Sequence, residues 1–309
     1  MKLFLFKNKE IKKNIIIFLK VIFFIILIYF AKDFFSKNEI IKISKKISIF
    51  EVLFLLAPIL IILMLMSLRW FYVVNSFSSQ KFKEYFKNII IGFNISLISS
   101  STVAIDVVKY IQVKKEFSHK KSFYFIIYDK LITLAVRIIS ILFFINILNF
   151  MSFKAYEITI LIISIIISFL TIFFFSKTFS VFLKKFNFLT FFEFFIEILN
   201  RNSKKLTILF FINFSIQFLV IFIYAFAFSI LDDKIPFFNV ALITPIVEIF
   251  SQLQVLFPGA KEAFTVFIYS TVNVDNNTSL IVAILVRVLE FLVGIILFLL
   301  SFLIKSKKY

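Results

Sequence analysis

Six stretches of this chain are long and apolar enough to cross a lipid bilayer as helices: approximately Asn14–Ala31, Ile47–Leu68, Ser122–Phe150, Tyr156–Ser176, Leu206–Leu231 and Ser279–Ile304. A crossing takes about 20 mostly apolar residues. In lipid every backbone amide must be satisfied within the protein, which a helix does segment by segment. The chain is 61% hydrophobic with a mean hydropathy of +1.05, against about 45–50% apolar for a soluble domain. The excess surface needs lipid. The first run is too long for a typical signal-peptide core and lacks a small-x-small cleavage site before Asp33, so it reads as a retained anchor.

Two further apolar stretches do not fit the pattern. Ile89–Val108 carries Gly92, Asn94, Ser96 and the run Ser99-Ser100-Ser101-Thr102. Asn239–Gly259 carries Pro245, Glu248, Ser251, Gln252, Gln254 and Pro258-Gly259. Polar, interrupted backbone survives at membrane depth where protein or a wet cavity surrounds it. The expected fold is therefore an all-α polytopic membrane protein of one domain over 1–309, with eight hydrophobic segments: six spans and two re-entrant or broken helices. Eight ordinary spans is the other reading.

Charge sets the expected topology. The net charge is +18, and the basic flanks Lys7–Lys13, Lys81–Lys87, Lys109–Lys121, Lys177–Lys205 and Lys305–Lys308 all fall on one side of a six-span, two-hairpin arrangement. The positive-inside rule makes that side cytoplasmic, with both chain ends; the expected location is the inner (cytoplasmic) membrane. Lys32–Lys46 dissents, since it is basic and falls outside. Ser67–Lys87 and Ser180–Lys205 mix aromatics with Lys and Glu and read as amphipathic helices on the cytoplasmic surface, the second forming a linker over about 177–205. No nucleic-acid motif accompanies the lysines, so a nucleic-acid partner is not expected.

The chemistry is equally bounded. With no Cys, and His119 alone of its kind beside Lys120 and Lys121, thiol and zinc chemistry lack their ligands. No P-loop glycines occur, and neither cofactor nor catalytic residue is expected. Ionisable residues inside spans are costly and face a bundle interior or a wet path, which singles out Asp129, Lys130, Arg137, Arg287 and Glu290, with Glu248 in the second broken segment. Lys130 and Arg137 are two turns apart and share a face; Arg287 and Glu290 can pair directly. Asp106 precedes Lys130 by 24 residues (130 − 106), and Glu262 precedes Arg287 by 25 (287 − 262). Two such units entering from opposite sides outline an inverted repeat, halves about 47–150 and 206–304, whose broken helices meet near the midplane.

At these residues the chain resembles the lysylphosphatidylglycerol synthase transmembrane-region family, a flippase-like group, over about residues 10 to 305. The likeness rests on Leu68-Arg69-Trp70, on Asp106-Val107-Val108-Lys109-Tyr110 where the family has a Gly-Gly-Asp-Val-Val-Arg-like motif, on Asp129-Lys130 at an acid–Arg pair, on Pro258-Gly259 with Glu262, and on Arg287. Ser and Thr at 99–102 replace Pro and Gly of the family, Lys109 and Lys130 replace Arg, and Ala260-Lys261 shortens a Gly-rich turn. Lys keeps the charge without the planar fork that grips phosphate. Some relatives carry a cytosolic aminoacyl-transferase domain; this sequence ends a few residues past its last span, so the resemblance implies the membrane part alone. It implies a protein that handles or flips an anionic phospholipid or polyprenyl-linked lipid, with Asp106, Lys109, Asp129, Lys130, Arg137, Glu248, Glu262, Arg287 and Glu290 along the polar path. A scaffold for an envelope-synthesis enzyme is the alternative.

Overall fold

The computed structural model describes residues 47–99, 103–150, 191, 193–197, 203–231, 235–251 and 259–303. Among these, four helices are long and apolar enough to cross a membrane. The expected spans at 14–31 and 156–176, the loop 32–46 and most of the linker 177–205 lie outside the described residues.

The first long helix, α1 (Ile49–Val74), starts on a capping box: the Glu51 amide donates to Ser48 Oγ (3.3 Å) and the Ser48 amide to Glu51 Oε2 (2.7 Å). Together these satisfy two of the amides that a helix start leaves without partners. Then come α2 (Phe82–Ser99) and α3 (Val103–Val113), followed by the long α4 (His119–Phe150). The order repeats: long α5 (Ser203–Ile230), short α6 (Phe237–Phe250) and α7 (Ala260–Ser270), long α8 (Asn276–Leu303).

Both polar stretches are broken, as the sequence predicts. At 11 residues each, α3 and α7 reach only about 16 Å at 1.5 Å per residue, too short to cross. Each short pair is an antiparallel hairpin. Gly92 of α2 lies against Ile105 and Val108 of α3, while Phe250 stacks on Phe264 and Thr244 Oγ1 lies 3.0 Å from the Tyr269 hydroxyl across α6 and α7. Gly259, with φ of 83°, turns the chain into α7; a Cβ in that left-handed conformation is strained.

The surface helix expected over Ser67–Lys87 is not there. Its first half is the end of α1, with Ser67, Arg69, Trp70, Val73 and Val74 buried, and its second half opens α2. The 26-residue α1 is about 39 Å long, so its last turns run past a hydrocarbon core of about 30 Å. Arg69 remains buried there because a carboxylate meets it. Of the later surface segment, Phe191 and Phe194 are described, and both are buried against Tyr124 of α4.

The substantial helix contacts come in matched pairs. As α1 packs on α2, so α5 packs on α6; α2 on α3 matches α6 on α7, and α3 on α4 matches α7 on α8. Across the halves, α2 on α8 matches α6 on α4, α1 on α8 matches α5 on α4, and α1 on α4 matches α5 on α8. The remaining contact, α1 on α5, is its own mate. These two helices are antiparallel, since Phe54 meets Phe222 and Phe226 while Arg69 meets Asn213.

Outward faces are apolar, with Phe54, Ile61, Phe211, Phe218, Ile295 and Leu299 all exposed, as lipid contact requires. Inside, glycines let helices close up. A Cβ on Gly92 would sit 2.9 Å from the Ile105 Cα, and one on Gly294 would sit 2.5 Å from the Leu97 Cδ1 and 2.8 Å from the Asn94 Oδ1, both ends of side chains. Backbone cannot step aside as readily as a Leu methyl. Gly92→Ala is therefore expected to cost about 1–3 kcal/mol and to lower the melting temperature of the detergent-purified protein more than Gly294→Ala does. Equal melting temperatures for the two variants would contradict the packing described for α2 and α3.

Candidate functional site: a charged cavity between the halves

A cavity of about 380 Å³ opens between the two sets of helices. Its cationic lining comes from both: Arg69, Lys109, Lys130 and Arg137 from the first half, Lys261 and Arg287 from the second. Asp106, Glu248 and Glu290 line it as well, and Asp129 and Glu262 sit behind cations of its wall. Among the described residues the cluster holds these six cations and five carboxylates. Burying an unpaired charge would cost several kcal/mol, so the pairing geometry decides what the cavity can do.

One cluster is built on Asp129. Arg69 grips it with a two-point fork, Nε to Oδ1 at 2.8 Å and Nη2 to Oδ2 at 3.3 Å. Lys109 Nζ donates to the same Oδ2 at 2.7 Å. The remaining Arg69 arm donates from Nη1 to Asn213 Oδ1 (2.9 Å), which also accepts from Thr133 Oγ1 (3.2 Å). Four helices, α1, α3, α4 and α5, thus meet on one carboxylate and one amide. Lys109 and Asp129 are 2% and 1% exposed, so bulk water screens neither. Lys109 also lies 5.1 Å above the Trp70 ring, whose indole N–H donates to Gln112 Oε1 (3.1 Å). Next to Asp129 in sequence, Lys130 turns the other way and pairs with Asp106 at 2.9 Å.

The second cluster is a ladder of alternating charge. Arg137 meets Glu248 (3.3 Å), Glu248 meets Lys261 (3.2 Å), Lys261 meets Glu290 (3.2 Å), Glu290 meets Arg287 (3.2 Å), and Arg287 faces Glu262 (3.9 Å). It ties α4 to α6, α7 and α8. Arg137 has a further task. Its Nη1 donates to the backbone carbonyl of Glu248 at 3.0 Å, and Ser251 Oγ donates to the same oxygen at 2.7 Å. Because α6 stops at Phe250, that carbonyl belongs to the last turn, where a helix leaves its carbonyls in need of donors from outside. Arg137 and Ser251 supply the missing donors.

All nine residues singled out in the sequence fall in this one region. Seven line the cavity; Asp129 and Glu262 back it. Both spacing coincidences, Asp106 with Lys130 and Glu262 with Arg287, are ion pairs between the second arm of a hairpin and the long helix that follows it. The sequence reading passed over Lys261, which joins two carboxylates, and over Asn213 and Gln217. The last two carried a usable signal: two amides four residues apart share a helix face in a span otherwise rich in Phe and Ile. Arg69 had been placed just beyond a span, yet it grips the central carboxylate.

Helical architecture, apolar exterior and a charged interior cavity define a multi-pass α-helical membrane protein. The chain belongs to the family described as the lysylphosphatidylglycerol synthase TM region, whose model matches residues 17–297. That region is a membrane domain of lipid-related function rather than a catalytic one. Comparison with curated proteins and with solved structures found no match.

Asp129→Asn leaves Arg69 and Lys109 buried without their counter-charge and is expected to cost about 3–5 kcal/mol. Lys109→Met leaves one cation on one carboxylate and is expected to cost far less. Thermal melts of the two detergent-purified variants give the comparison; a Lys109→Met loss as large as that of Asp129→Asn would contradict the shared-carboxylate geometry.

Proposed function

We propose that this chain translocates a lipid with an anionic headgroup, an anionic phospholipid or a polyprenyl-linked lipid, across the cytoplasmic membrane through the cavity between its halves. The supporting observation is the cationic wall of the cavity. A charged phosphate buried unpaired costs several kcal/mol or more, and six cations around one cavity are what such a passenger requires. The apolar tails would remain in lipid beside the exposed Phe, Ile and Leu of the outer faces.

The two sets of helices act here as an inverted repeat, halves about 47–150 and 206–304. The matched contacts and the antiparallel α1 and α5 support an axis lying in the membrane plane. Each hairpin then enters from its own side, the first from the cytoplasm and the second from outside, and both chain ends are cytoplasmic. Repeats of this kind allow one half to rock against the other around a fixed site. The contacts that such rocking must change are those between halves, α2 with α8 and α6 with α4. They differ in kind: Gly294 lets the Leu97 and Asn94 side chains of α2 close on α8, whereas Arg137 ties α4 to α6 by charge.

Reconstitution into vesicles with labelled anionic and polyprenyl lipids, read by accessibility of the label, tests this reading. The wild-type chain is expected to move headgroups between leaflets. Arg287→Ala, which removes the cation between Glu262 and Glu290, is expected to slow that movement about tenfold or more, an activation difference of about 1.4 kcal/mol, while the protein remains folded. An absence of movement with every lipid in the panel would defeat the proposal.

A further inference from the structure

The cations of the cavity are not equivalent. In the ladder, Arg137, Lys261 and Arg287 face Glu248, Glu262 and Glu290, three against three. Lys130 faces Asp106. The Asp129 cluster, with Arg69 and Lys109 on one carboxylate, has more cations than acids. Among these described residues of the cavity, the surplus positive charge therefore sits there. Its placement is directional: Arg69 and Lys109 line the cavity and Asp129 does not, so the acid steadies them from behind while their charge faces the open space.

A neutral donor completes the arrangement. Gln217 of α5 lines the same cavity and is 5% exposed. Its Nε2 has no hydrogen-bond partner among the described residues. Asn213, one turn earlier, is fully engaged: its Oδ1 accepts from Arg69 and Thr133, and its Nδ2 donates to the Leu209 carbonyl (2.8 Å). A buried amide left without a partner costs about 1–3 kcal/mol. A hydrophobe of the same size would avoid that cost unless a ligand fills the role.

We infer that Arg69, Lys109 and Gln217 form an oxyanion site, built to take a phosphate group, with Gln217 as the neutral donor that recognises the bound oxygen. The inference rests on reading the cavity as a headgroup path and assigns where in it the phosphate is held. Lys130, Arg137 and Arg287, the cations most visible in the sequence, become positioning residues already matched by acids. Arg69 retains unused N–H groups, since two hydrogen bonds are described from its Nη1 and Nη2 and the guanidinium carries five donors. Lys109 gives one of three to Asp129. The site thus has donors to spare, and its own carboxylate, Asp129, is not among the residues lining the cavity.

The test uses the purified full chain in detergent, titrated separately with phosphatidylglycerol, diacylglycerol and inorganic phosphate, with melting temperature and native mass spectra as readouts. Phosphatidylglycerol or inorganic phosphate is expected to bind and diacylglycerol not; whichever phosphate source binds identifies the occupant. Gln217→Met, close in size and unable to donate, is expected to weaken that binding about tenfold or more while leaving the ligand-free melting temperature equal or higher. Gln217→Glu, whose charge cancels the local surplus, is expected to abolish it. Unchanged affinity in either variant overturns the site. So does a marked fall in the ligand-free melting temperature of Gln217→Met, which would mean the amide is bonded within the protein. Gln217-dependent binding without headgroup movement in vesicles would sink the transport reading and leave this site standing. Movement with Gln217-independent binding would do the reverse.

Discussion

A single buried carboxylate, with a guanidinium and an ammonium against it, ties the structure together. Asp129 draws Arg69 from α1 and Lys109 from α3 onto α4, and Asn213 links the same guanidinium to α5. Apolar packing alone cannot specify such an arrangement in lipid, because helix surfaces meet hydrocarbon about as well as they meet one another. A buried ion pair has sharp distance and angle requirements, and breaking it leaves a charge that nothing solvates. It therefore fixes register where Phe and Ile do not. That α1 runs to Val74, four residues past Trp70, follows from the same contact: Arg69 has no reason to leave the interior.

The second half reaches the same end with different parts. Where the first hairpin is held by two separate ion pairs and a close glycine contact, the second is held by a continuous ladder from Arg137 to Glu262. The difference has a physical consequence. In the ladder each inner charge, Glu248, Lys261, Glu290 and Arg287, is shared, so removing one of these leaves two neighbours short. In the first half, Lys130 pairs with Asp106 at a partly exposed position, and α2 meets α8 where Leu97 and Asn94 close on Gly294. Matched helix contacts thus coexist with unmatched chemistry, and the cavity carries its surplus charge near one hairpin rather than at its centre.

Much of this was legible in the residues, and the reasons are physical. Runs such as Leu206–Leu231 announce spans because no water-facing helix tolerates so continuous an apolar surface. Pro245, Pro258 and Gly259 announce a break, because an interrupted backbone in lipid demands protein around it. Charges inside spans are expensive enough to stand out, which is how Asp129, Arg137 and Glu290 were found. The two acid–base spacings hold because each hairpin's return arm lies beside the next long helix.

What stayed hidden depended on contacts distant in sequence. Arg137 meets Glu248 across 111 residues, and nothing local reveals it. Arg69 follows Leu68 at the end of an apolar run, where hydropathy cannot separate a helix that ends from one that continues with its charge satisfied. Val73 and Val74, at helical spacing beyond Trp70, were the available sign. Gln217 shares a helix face with Asn213, but only the geometry shows that its Nε2 lacks a partner among the described residues.

The central claim is that the charged cavity takes an anionic phosphate-bearing headgroup. Lipid-resolved mass spectrometry of the full chain, purified gently from its membrane, tests it most directly. Anionic phospholipid or polyprenyl-phosphate lipid should be enriched over the surrounding membrane and retained as detergent is increased. Co-purified lipid that merely mirrors the bulk membrane, and washes away with it, would contradict the account.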